Sequence, residues 1–435
     1  MTKQALRLGV AGLGTVGGGL VRLLATHRDR LALRIGRPIE ITAVCARDPN
    51  KDRGLGNALG SATWYADPVA MAADPAVDVM VELIGGETVA KAAVEAALSK
   101  GKPVVTANKA LLAHHGVALS RMAEAAGVAL NFEAAVAGGI PVVKALREGL
   151  SGNRIEAVYG ILNGTSNYIL TDMAARGASF ESVLAEAQAL GYAEADPSFD
   201  VDGIDAAHKL TLLASLAFGV AVDFDSVPVE GIRGVSAQDI AFARELGFRI
   251  KLVGIARMTG EGLDIRVHPV MVAEGSALAH VDGVFNGVVV QGDFVDQMVF
   301  EGRGAGAGPT ASAVMADIVD IALGLKLPLF GVPTETLVPA KVAPVTARVG
   351  ACYLRLSVVD RPGVIADIAA ILRDERVSIE SLLQRGRAPG EAVPVVIVTH
   401  EVAEAAMVAA LTRIGNLPSV LEPPTMIRIE EIKRA

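Results

Sequence analysis

A glycine-rich turn near the N-terminus constrains the fold of this chain more than any other feature. The apolar run Leu6–Ala11 is typical of a strand, and it leads directly into Gly12-Leu13-Gly14-Thr15-Val16-Gly17, after which a helical pattern begins. Between a strand and a helix, glycines permit a tight turn, close approach of the backbone to a ligand, and close packing of helix on strand. We therefore expect a dinucleotide to bind with its phosphates at the helix N-terminus. The predicted contacts in this turn are Gly12, Gly14, Thr15, Val16 and Gly17.

The chain beyond this turn alternates short apolar runs with helical stretches up to residue 132, which is typical of a parallel sheet covered by helices. The further strands predicted in this part are 41–46, 77–84, 103–106 and 128–132. The pattern becomes mixed over residues 133–327, with predicted helices at 179–190, 202–218 and 238–247 and strands at 251–257, 263–272 and 284–290. The predicted fold class is α/β, with a Rossmann-type domain over 1–132 and an α+β substrate-binding, catalytic and dimerisation domain over 133–327.

The C-terminal part has a separate pattern. Four prolines within residues 328–349 predict a linker and return segment. Beyond it, strands are predicted at 353–359, 378–383, 393–399 and 425–429, with helices near 365–372 and 401–414. The order βαββαβ within roughly 80 residues indicates a ferredoxin-like domain over 350–432.

Composition excludes several classes of protein. The formal net charge is −8, which argues against a nucleic-acid partner. The most apolar stretch, residues 210–222, is too short to span a bilayer. Two cysteines, Cys45 and Cys352, exclude a disulfide framework. Because the first strand and glycine turn follow Met1 at once, no signal peptide is expected, and we predict a cytoplasmic protein without a membrane partner.

The loop after the second strand bears on the type of dinucleotide. A carboxylate there would hold a ribose 2′-hydroxyl, whereas an arginine would hold a 2′-phosphate. Arg47 and Asp48 stand side by side, and Lys51 and Arg53 follow. Three cations in one loop favour NADP(H), with Arg47 as the contact and NAD(H) as the alternative.

Two segments carry candidate catalytic groups. Lys109 follows a predicted strand at the edge of the sheet where ligands bind, although a lysine in a first helical turn can also be a surface residue. Farther along, five carboxylates crowd the segment from Glu194 to Lys209. Asp202 is a predicted N-cap, and Asp205 and Lys209 are four residues apart on one helix face. A carboxylate cluster suits an ammonium group, and a lysine held by an aspartate suits proton transfer. The alternative is a capped helix with one surface salt bridge.

Two smaller features leave alternatives open. The segment Gly302–Thr310 forms a second glycine loop that enters a helix, and it either wraps the cofactor from the other side or is only a helix entry. The adjacent His114 and His115 could suggest a metal, but neighbours on a helix point in different directions, so solvated histidines are favoured. The single tryptophan, Trp64, is expected in a loop.

In combination these segments resemble the homoserine dehydrogenase family. The resemblance runs in order over residues 1–325, and its further motifs are Glu82-Leu83-Ile84-Gly85-Gly86, Asn163-Gly164-Thr165-Ser166-Asn167 and Gly191-Tyr192-Ala193-Glu194-Ala195-Asp196-Pro197. The tail resembles an ACT domain, an amino-acid-sensing module. Because no kinase-like segment precedes Met1, the resemblance is to the monofunctional form and not to the fusion with aspartate kinase.

This resemblance implies a reaction and roles for residues. The reaction is the reversible NAD(P)H-dependent reduction of L-aspartate 4-semialdehyde to L-homoserine, in threonine, methionine and isoleucine biosynthesis. Lys209 would donate the proton to the developing alkoxide, Lys109 would assist at the carbonyl and the nicotinamide, and Asp205 would complete the catalytic set. The implied substrate-binding residues are Glu194, Asp200, Asn163 and Thr165. The further implied cofactor-binding residues are Gly85, Lys109, Gly304 and Gly306.

The resemblance also implies partners beyond the substrate. A sodium ion would be held by main-chain oxygens in the segment that contains Glu133, Val136, Gly138 and Ile140, and a hard cation suits such ligands. Threonine would act as a feedback effector at the ACT domain, and the protein would form a homo-oligomer, either a dimer or a tetramer.

The chemistry agrees with this assignment. Hydride delivery to an aldehyde builds negative charge on oxygen, which a nearby ammonium stabilises and protonates. A phosphorylating semialdehyde dehydrogenase would need a cysteine nucleophile, and neither cysteine is placed for that role. Two alternatives are kept. A non-catalytic dinucleotide-binding amino-acid sensor would not explain the segment from Glu194 to Lys209, and a dehydrogenase of another amino-acid carbonyl would differ only in substrate.

Overall fold

The computed structural model describes residues 4–385 and 389–432. Strands and helices alternate in the first part of the chain. The strands are β1 (Leu6–Ala11), β2 (Ile39–Cys45), β3 (Thr63–Tyr65), β4 (Val79–Glu82), β5 (Val104–Thr106) and β6 (Leu130–Asn131). The helices are α1 (Thr15–Ile35), α2 (Pro68–Ala73), α3 (Thr88–Ser99) and α4 (Lys109–Ala126).

The middle of the chain is mixed. Its elements are α5 (Val142–Lys144), which continues as a π-helical turn over Ala145–Gly149, β7 (Ile155–Ile161), α6 (Gly164–Arg176), α7 (Phe180–Ala189), α8 (Ser198–Val201), α9 (Ile204–Phe218), β8 (Val220–Ala221), α10 (Ala237–Glu245), β9 (Phe248–Thr259), β10 (Gly262–Ala273), β11 (Phe285–Gly292), β12 (Asp296–Arg303) and α11 (Ala307–Leu323).

The last part holds the remaining elements. These are β13 (Val338–Pro339), β14 (Val349–Gly350), β15 (Cys352–Val359), α12 (Val364–Asp374), β16 (Ile379–Gln384), β17 (Ala392–Thr399), β18 (Val402–Ala403), α13 (Glu404–Gly415) and β19 (Thr425–Glu430). The predicted linker, 328–349, therefore contains two short strands and two 3₁₀ turns, at Thr334–Thr336 and Val345–Ala347.

The first six strands form one parallel sheet in the order β3-β2-β1-β4-β5-β6, as in Rossmann-type domains. Ala11 pairs with Cys45 on one side and with Glu82 on the other, and Glu82 pairs with Thr106. The segments that follow these residues therefore leave the sheet at one edge, where ligands bind in open α/β sheets. Apolar side chains of α1 and α11 pack with those of β1, as expected for a parallel sheet whose faces are covered.

The chain divides into two compact units. The first comprises the chain up to Gly164, Asp205–Val227 and Val284–Ala340, and the second comprises Thr165–Ile204, Pro228–Gly283 and the chain from Lys341 on. Besides the parallel sheet, the first unit holds the antiparallel pairs β7–β11 and β11–β12. The second holds the antiparallel pair β9–β10, and β19 of the C-terminal domain pairs in parallel with β10.

The C-terminal domain confirms the predicted order βαββαβ. Its strands β19, β15, β17 and β16 lie side by side in that order and pair antiparallel, and α12 and α13 contribute to their apolar core. Residues 386–388 of the predicted range 350–432, and residues 1–3 of the predicted range 1–132, lie outside the described residues. The fold is thus a Rossmann-like domain, a mixed-sheet domain and a ferredoxin-like domain.

Several elements differ from the sequence prediction. Trp64 lies in the short strand β3, not in a loop, and its indole is stacked by Arg53 at 5.7 Å. Strands β7 and β12 were not predicted. β12 lacks the alternation of apolar and polar residues that predicts a strand. It contains Asp296, Gln297 and Glu301 and has exposed residues on both faces, as at the edge of a sheet.

Candidate functional site

An aspartate lies between two lysines in the first unit. Lys209 Nζ is 2.7 Å from Asp205 Oδ2, and Lys109 Nζ is 3.0 Å from Asp205 Oδ1. Asn163 Nδ2 donates to Asp205 Oδ2 at 2.8 Å. The structure therefore brings together four of the predicted site residues.

Three elements place these groups. Asp205 and Lys209 share a face of α9, whose other side chains are almost all buried. Lys109 is the first residue of α4, directly after β5, and Asn163 follows β7. Lys209 Nζ also donates to the carbonyl oxygen of Leu162 at 2.7 Å, which accepts a second hydrogen bond from Asn286 Nδ2. The Lys209 ammonium is thus oriented by groups from different elements.

The electrostatics of this cluster are set by burial and charge. Lys209 is 8% exposed and Asp205 is 4% exposed, so this is not a surface salt bridge. Burial alone would raise the pKa of Asp205, but Lys209 and Lys109, with the hydrogen bonds from Lys209 and Asn163, hold it below its ordinary value. The carboxylate is therefore ionised at neutral pH, and two ammonium groups with one carboxylate leave a net positive charge. Such a cluster stabilises negative charge that develops nearby.

Glu82 lies in one of the motifs of the family resemblance, but the sequence alone assigned it no role. Its buried carboxylate accepts hydrogen bonds from the amides of Ile84 and Gly85 and from the Thr106 hydroxyl. Asn108 Nδ2 donates to the carbonyl oxygen of Gly86 at 2.6 Å. These bonds join the loops after β4 and β5 and fix the start of α4. In the sequence, the signal that could have identified Glu82 is a carboxylate at the end of an apolar strand.

The first glycine turn has the geometry that dinucleotide binding requires. A Cβ on Gly12 would lie 2.3 Å from the carbonyl oxygen of Leu83, and one on Gly17 would lie 2.0 Å from that of Gly12. Gly12 also has a φ of +100°. Gly14 has no atom within 4 Å of its Cβ position, which leaves room for a phosphate group. Thr15 and Val16 open α1 and present its N-terminus to that space.

The loop after β2 contains the cations predicted to select the dinucleotide. Arg53 donates to the carbonyl oxygens of Lys51 and Asp48, so it shapes the loop. Arg47 and Lys51 are exposed, and among the described residues neither has an ion-pair partner. Of the three predicted cations in this loop, Arg47 and Lys51 are therefore the two whose side chains are not used to shape it.

The second glycine loop lies beside two other segments of the first unit. Gly306 is the N-cap of α11. A Cβ on Gly304 would collide with Asn286, and a Cβ on Gly19 of α1 would lie 2.2 Å from the carbonyl oxygen of Ala307. The start of α11, directly after this loop, is therefore packed against α1.

The segment predicted to hold sodium is a buried turn. Ala137 and Gly138 have φ values of 53° and 46°, and such a conformation is strained for alanine. The Glu133 carboxylate accepts from the amides of Val143 and Lys144, and the Glu133 amide donates to Asp317. Burial raises the pKa values of Glu133 and Asp317 above their ordinary range.

Main-chain oxygens in this turn fit a hard cation. The carbonyl oxygens of Glu133, Val136 and Gly138 accept no hydrogen bond from a loop amide within the described residues, whereas that of Ile140 accepts one from Val142. Buried carbonyl groups need a partner, and a monovalent cation would be a suitable one.

Three predicted substrate-binding residues lie in the second unit. Glu194 is exposed, Asp200 is half-buried in α8, and its carbonyl oxygen accepts from Ser166 Oγ. Thr165 Oγ1 donates to the carbonyl oxygen of Tyr192. The Asp202 prediction was wrong, since its carboxylate binds Arg233 Nε at 2.5 Å and α9 begins after Gly203.

The two histidines predicted to be solvated, His114 and His115, are exposed and partly exposed, and both also lie near other side chains. His208 Nε2 lies 3.3 Å from His114 Nε2, the His208 ring stacks on Phe224 at 4.2 Å, and His115 Nε2 lies 3.2 Å from a Glu87 oxygen. Burial, with His114 nearby, lowers the pKa of His208 to about 4. The sequence separates His114 and His208 widely, so no local pattern could pair them.

Two features are absent from the described part of the chain. None of its helices has both the length and the hydropathy to cross a bilayer. It also contains no group of three or more His, Cys, Asp or Glu side chains arranged to hold a metal.

Comparison with protein families accounts for most of the chain. The family described as homoserine dehydrogenase matches residues 141–319, its NAD-binding domain matches residues 12–133, and the ACT domain matches residues 353–417. These matches follow the three parts of the fold.

Individual relatives match over the full length. The homoserine dehydrogenase of Neisseria gonorrhoeae is 46% identical over 435 residues, covering 99% of both chains, and that of Pseudomonas aeruginosa is 45% identical over 436 residues, covering 99% of this chain and 100% of that one. The crystal structure of a homoserine dehydrogenase from Thiobacillus denitrificans has a TM-score of 0.93 at 44% identity and covers 99% of each chain. A hyperthermophilic archaeal homoserine dehydrogenase in complex with NADPH has a TM-score of 0.62 at 26% identity, covering 74% of this chain and 99% of that one.

Proposed function

This chain belongs to the homoserine dehydrogenase family, oxidoreductases that act on CH–OH groups, and on that premise we propose that it reduces L-aspartate 4-semialdehyde with NADPH in preference to NADH. The observation that carries the reaction is the buried Lys209–Asp205–Lys109 cluster. A bound reduced nicotinamide supplies the hydride. The protein supplies the proton, the charge that stabilises the alkoxide, and the substrate's orientation.

Lys209 donates the proton in this proposal. As hydride reaches the carbonyl carbon, the bond to oxygen becomes single and the oxygen gains negative charge, which the Lys209 ammonium neutralises by proton transfer. Lys109 lies on the other side of the Asp205 carboxylate and adds positive charge where the alkoxide forms. In the reverse direction, neutral Lys209 accepts the hydroxyl proton of homoserine.

Asp205 and Asn163 orient these lysines. Their hydrogen bonds fix the position of Lys209 Nζ before the substrate arrives, which lowers the reorganisation that the reaction requires. From the family resemblance, Glu194, Asp200 and Thr165 are proposed to bind the substrate, with the carboxylates on its ammonium group. The runner-up reaction, a dehydrogenase of another amino-acid carbonyl, would use the same cluster and differ in these contacts.

The preference for NADPH rests on Arg47 and Lys51. Both are exposed in the loop after β2, where a 2′-phosphate would lie. Steady-state rates with NADPH and NADH, for the native chain and Arg47→Ala, test this. We expect Arg47→Ala to raise KM for NADPH about tenfold, in line with the loss of one charge-assisted phosphate contact, and to leave KM for NADH unchanged. An equal effect on both cofactors would contradict the proposal.

A sodium ion is part of the proposal. The chemistry of the donors supports it, because buried main-chain oxygens at 133–140 suit a hard monovalent cation, and a bound ion would offset the cost of the strained φ of Ala137. The ion would rigidify the turn next to the second glycine loop, where Gly139 donates to the carbonyl oxygen of Arg303.

Feedback control by threonine is proposed for the ACT domain. A cavity of about 310 Å³ lies against the turn between β15 and α12, and Asp360, Arg361 and Gln384 are among its lining residues. Threonine should inhibit the native chain, and Arg361→Ala should relieve inhibition. Arg373→Ala, an exposed change on α12 outside this cavity, is the control. If no threonine concentration slows the native protein, this part of the proposal fails.

We also propose a cytoplasmic homo-oligomer, a dimer or a tetramer. The support for assembly is β12, which within the described residues pairs with β11 alone and which exposes Met298 and Val299. An edge strand with exposed apolar residues favours association. A monomer mass in light scattering at assay concentration would refute it.

A further inference from the structure

A second cavity, of about 270 Å³, lies in the second unit between α6, α10 and the start of β9. We call it the α6–α10 cavity. Its floor is apolar and includes Leu170 and Ala174 of α6, Ile240 of α10 and Ile250 of β9. The proposed reaction uses none of these residues.

The rim of the α6–α10 cavity carries both signs of charge. Arg244, Arg249 and Lys251 stand on it with Glu274 and Asp282. Lys251 is only 2% exposed and is fixed by bonds to Asp282 Oδ1 at 2.9 Å and to the carbonyl oxygen of Val281 at 2.6 Å. A charged side chain so completely buried gives the cavity a rigid polar wall.

The two arginines are held less tightly. Arg249 Nη2 is 3.7 Å from Glu274, and its Nη1 is 3.5 Å from Asp282, longer than a strong charge-assisted hydrogen bond. Arg244, in the last turn of α10, is exposed and has no ion-pair partner within the described residues. Both guanidinium groups can therefore turn toward a ligand carboxylate at little cost.

These observations select one class of ligand. A simple anion would leave Glu274 and Asp282 without a ligand cation, a simple amine would leave the two arginines without a ligand anion, and an uncharged apolar molecule would leave the rim unused. A zwitterion with an apolar side chain satisfies the rim and the floor together. We propose that the α6–α10 cavity binds an α-amino acid with an aliphatic side chain, with its carboxylate on Arg244 and Arg249 and its ammonium on Glu274 and Asp282.

The α6–α10 cavity is in contact with α6 through hydrogen bonds and through its apolar floor. Lys251 Nζ also lies 3.3 Å from Asn167 Oδ1, and Asn167 Nδ2 donates to the carbonyl oxygens of Val281 and Gly283. A ligand on Leu170 and Ala174 would rest on the helix that begins at Gly164, directly after Asn163 in the chain. The site is separate from the cavity proposed for threonine, which is lined by residues of the ACT domain.

Calorimetric titration of the full-length protein with L-leucine tests this site without any need for turnover or cofactor. Two analogues dissect the ligand: 3-methylbutylamine lacks the carboxylate, and 4-methylpentanoate lacks the ammonium. We expect L-leucine to bind and each analogue to bind at least tenfold more weakly. Arg249→Gln and Glu274→Gln, both partly exposed, should each weaken L-leucine binding at least tenfold while leaving the melting temperature unchanged.

Arg361→Ala is the matched control, because it alters the ACT cavity and leaves the α6–α10 cavity intact. L-Leucine binding should survive this change. The proposal is overturned if L-leucine does not bind, if either analogue binds as tightly, or if Arg361→Ala abolishes binding while Arg249→Gln and Glu274→Gln retain it. A failure of the proposed reaction would leave these binding results unaffected.

Discussion

Asp205 carries two demands at the residue scale. It must remain ionised although it is buried, and it must hold two lysines at a fixed separation. The same two lysines satisfy both requirements, because the lysines that Asp205 orients are also the charges that lower its pKa. Removing either lysine would leave the carboxylate with less compensation for its burial.

His208, one residue before Lys209, predicts how stability depends on pH. Its folded pKa of about 4 lies below the unfolded value, so between these values the unfolded chain binds a proton that the folded chain does not. Stability from this group is therefore complete above about pH 6.5 and is lost as the pH falls toward 4. We expect the native chain to lose about 2 kcal/mol more between pH 7 and pH 4.5 than His208→Gln.

Chemical denaturation at the two pH values measures this difference. His400→Gln, which changes an exposed histidine, should keep the native pH dependence. Identical pH dependence in His208→Gln and the native chain would contradict a lowered pKa of His208 in the folded protein. The absolute stability of His208→Gln is expected to be lower at both pH values, because the stacking on Phe224 is lost.

At the scale of the element, two glycines in the turn before α1 have different roles: Gly17 is needed for folding and Gly14 for cofactor binding. Gly17→Ala would place a methyl group 2.0 Å from the carbonyl oxygen of Gly12, and backbone atoms cannot move aside. We expect it to destabilise the protein by about 2–3 kcal/mol. Gly14→Ala meets no atom within 4 Å and has ordinary φ and ψ angles, so it should melt at the native temperature.

The same pair of variants differs in cofactor binding. The methyl group of Gly14→Ala would stand between the backbone and the pyrophosphate, so we expect NADPH to bind at least tenfold more weakly, a loss of about 1.4 kcal/mol. Thermal unfolding and fluorescence titration with NADPH measure the two effects. Native NADPH affinity in Gly14→Ala would place the dinucleotide elsewhere.

Elements also show what a sequence can predict. The alternation of strands and helices, the order βαββαβ and the shared helix face of Asp205 and Lys209 all follow from local periodicity, and all are confirmed. The pairs His114–His208 and Glu82–Thr106 form only when distant segments meet. β12 was missed because an edge strand with polar residues lacks the alternation of a half-buried strand.

At the scale of the whole chain, the ACT domain shares a sheet and ion pairs with the rest of the second unit. β19 pairs with β10, and Glu404 and Glu430 form ion pairs with Arg266 and Arg257. Arg266 is 3% exposed, so removal of its partner leaves a buried charge with less compensation.

A truncation after Val349 should therefore destabilise the second unit as well as remove the effector site. We expect the truncated chain to lose more than about 3 kcal/mol, as for other broken buried ion pairs, and to aggregate at its exposed β10 edge. Thermal unfolding with light scattering measures both. Arg361→Ala in the full chain should unfold like the native protein, which makes it the cleaner test of regulation. A truncated chain as stable as the full one would contradict this view.

The central claim is that Lys209 protonates the product oxygen. The most direct test compares the native chain with Lys209→Ala in the oxidation of NADPH by L-aspartate 4-semialdehyde, together with NADPH binding. We predict that kcat falls by about 10³-fold or more, because general acid catalysis and its charge stabilisation are lost together, while the Kd for NADPH stays within about twofold of the native value because the glycine turn is intact. Turnover at the native rate in Lys209→Ala would contradict the account.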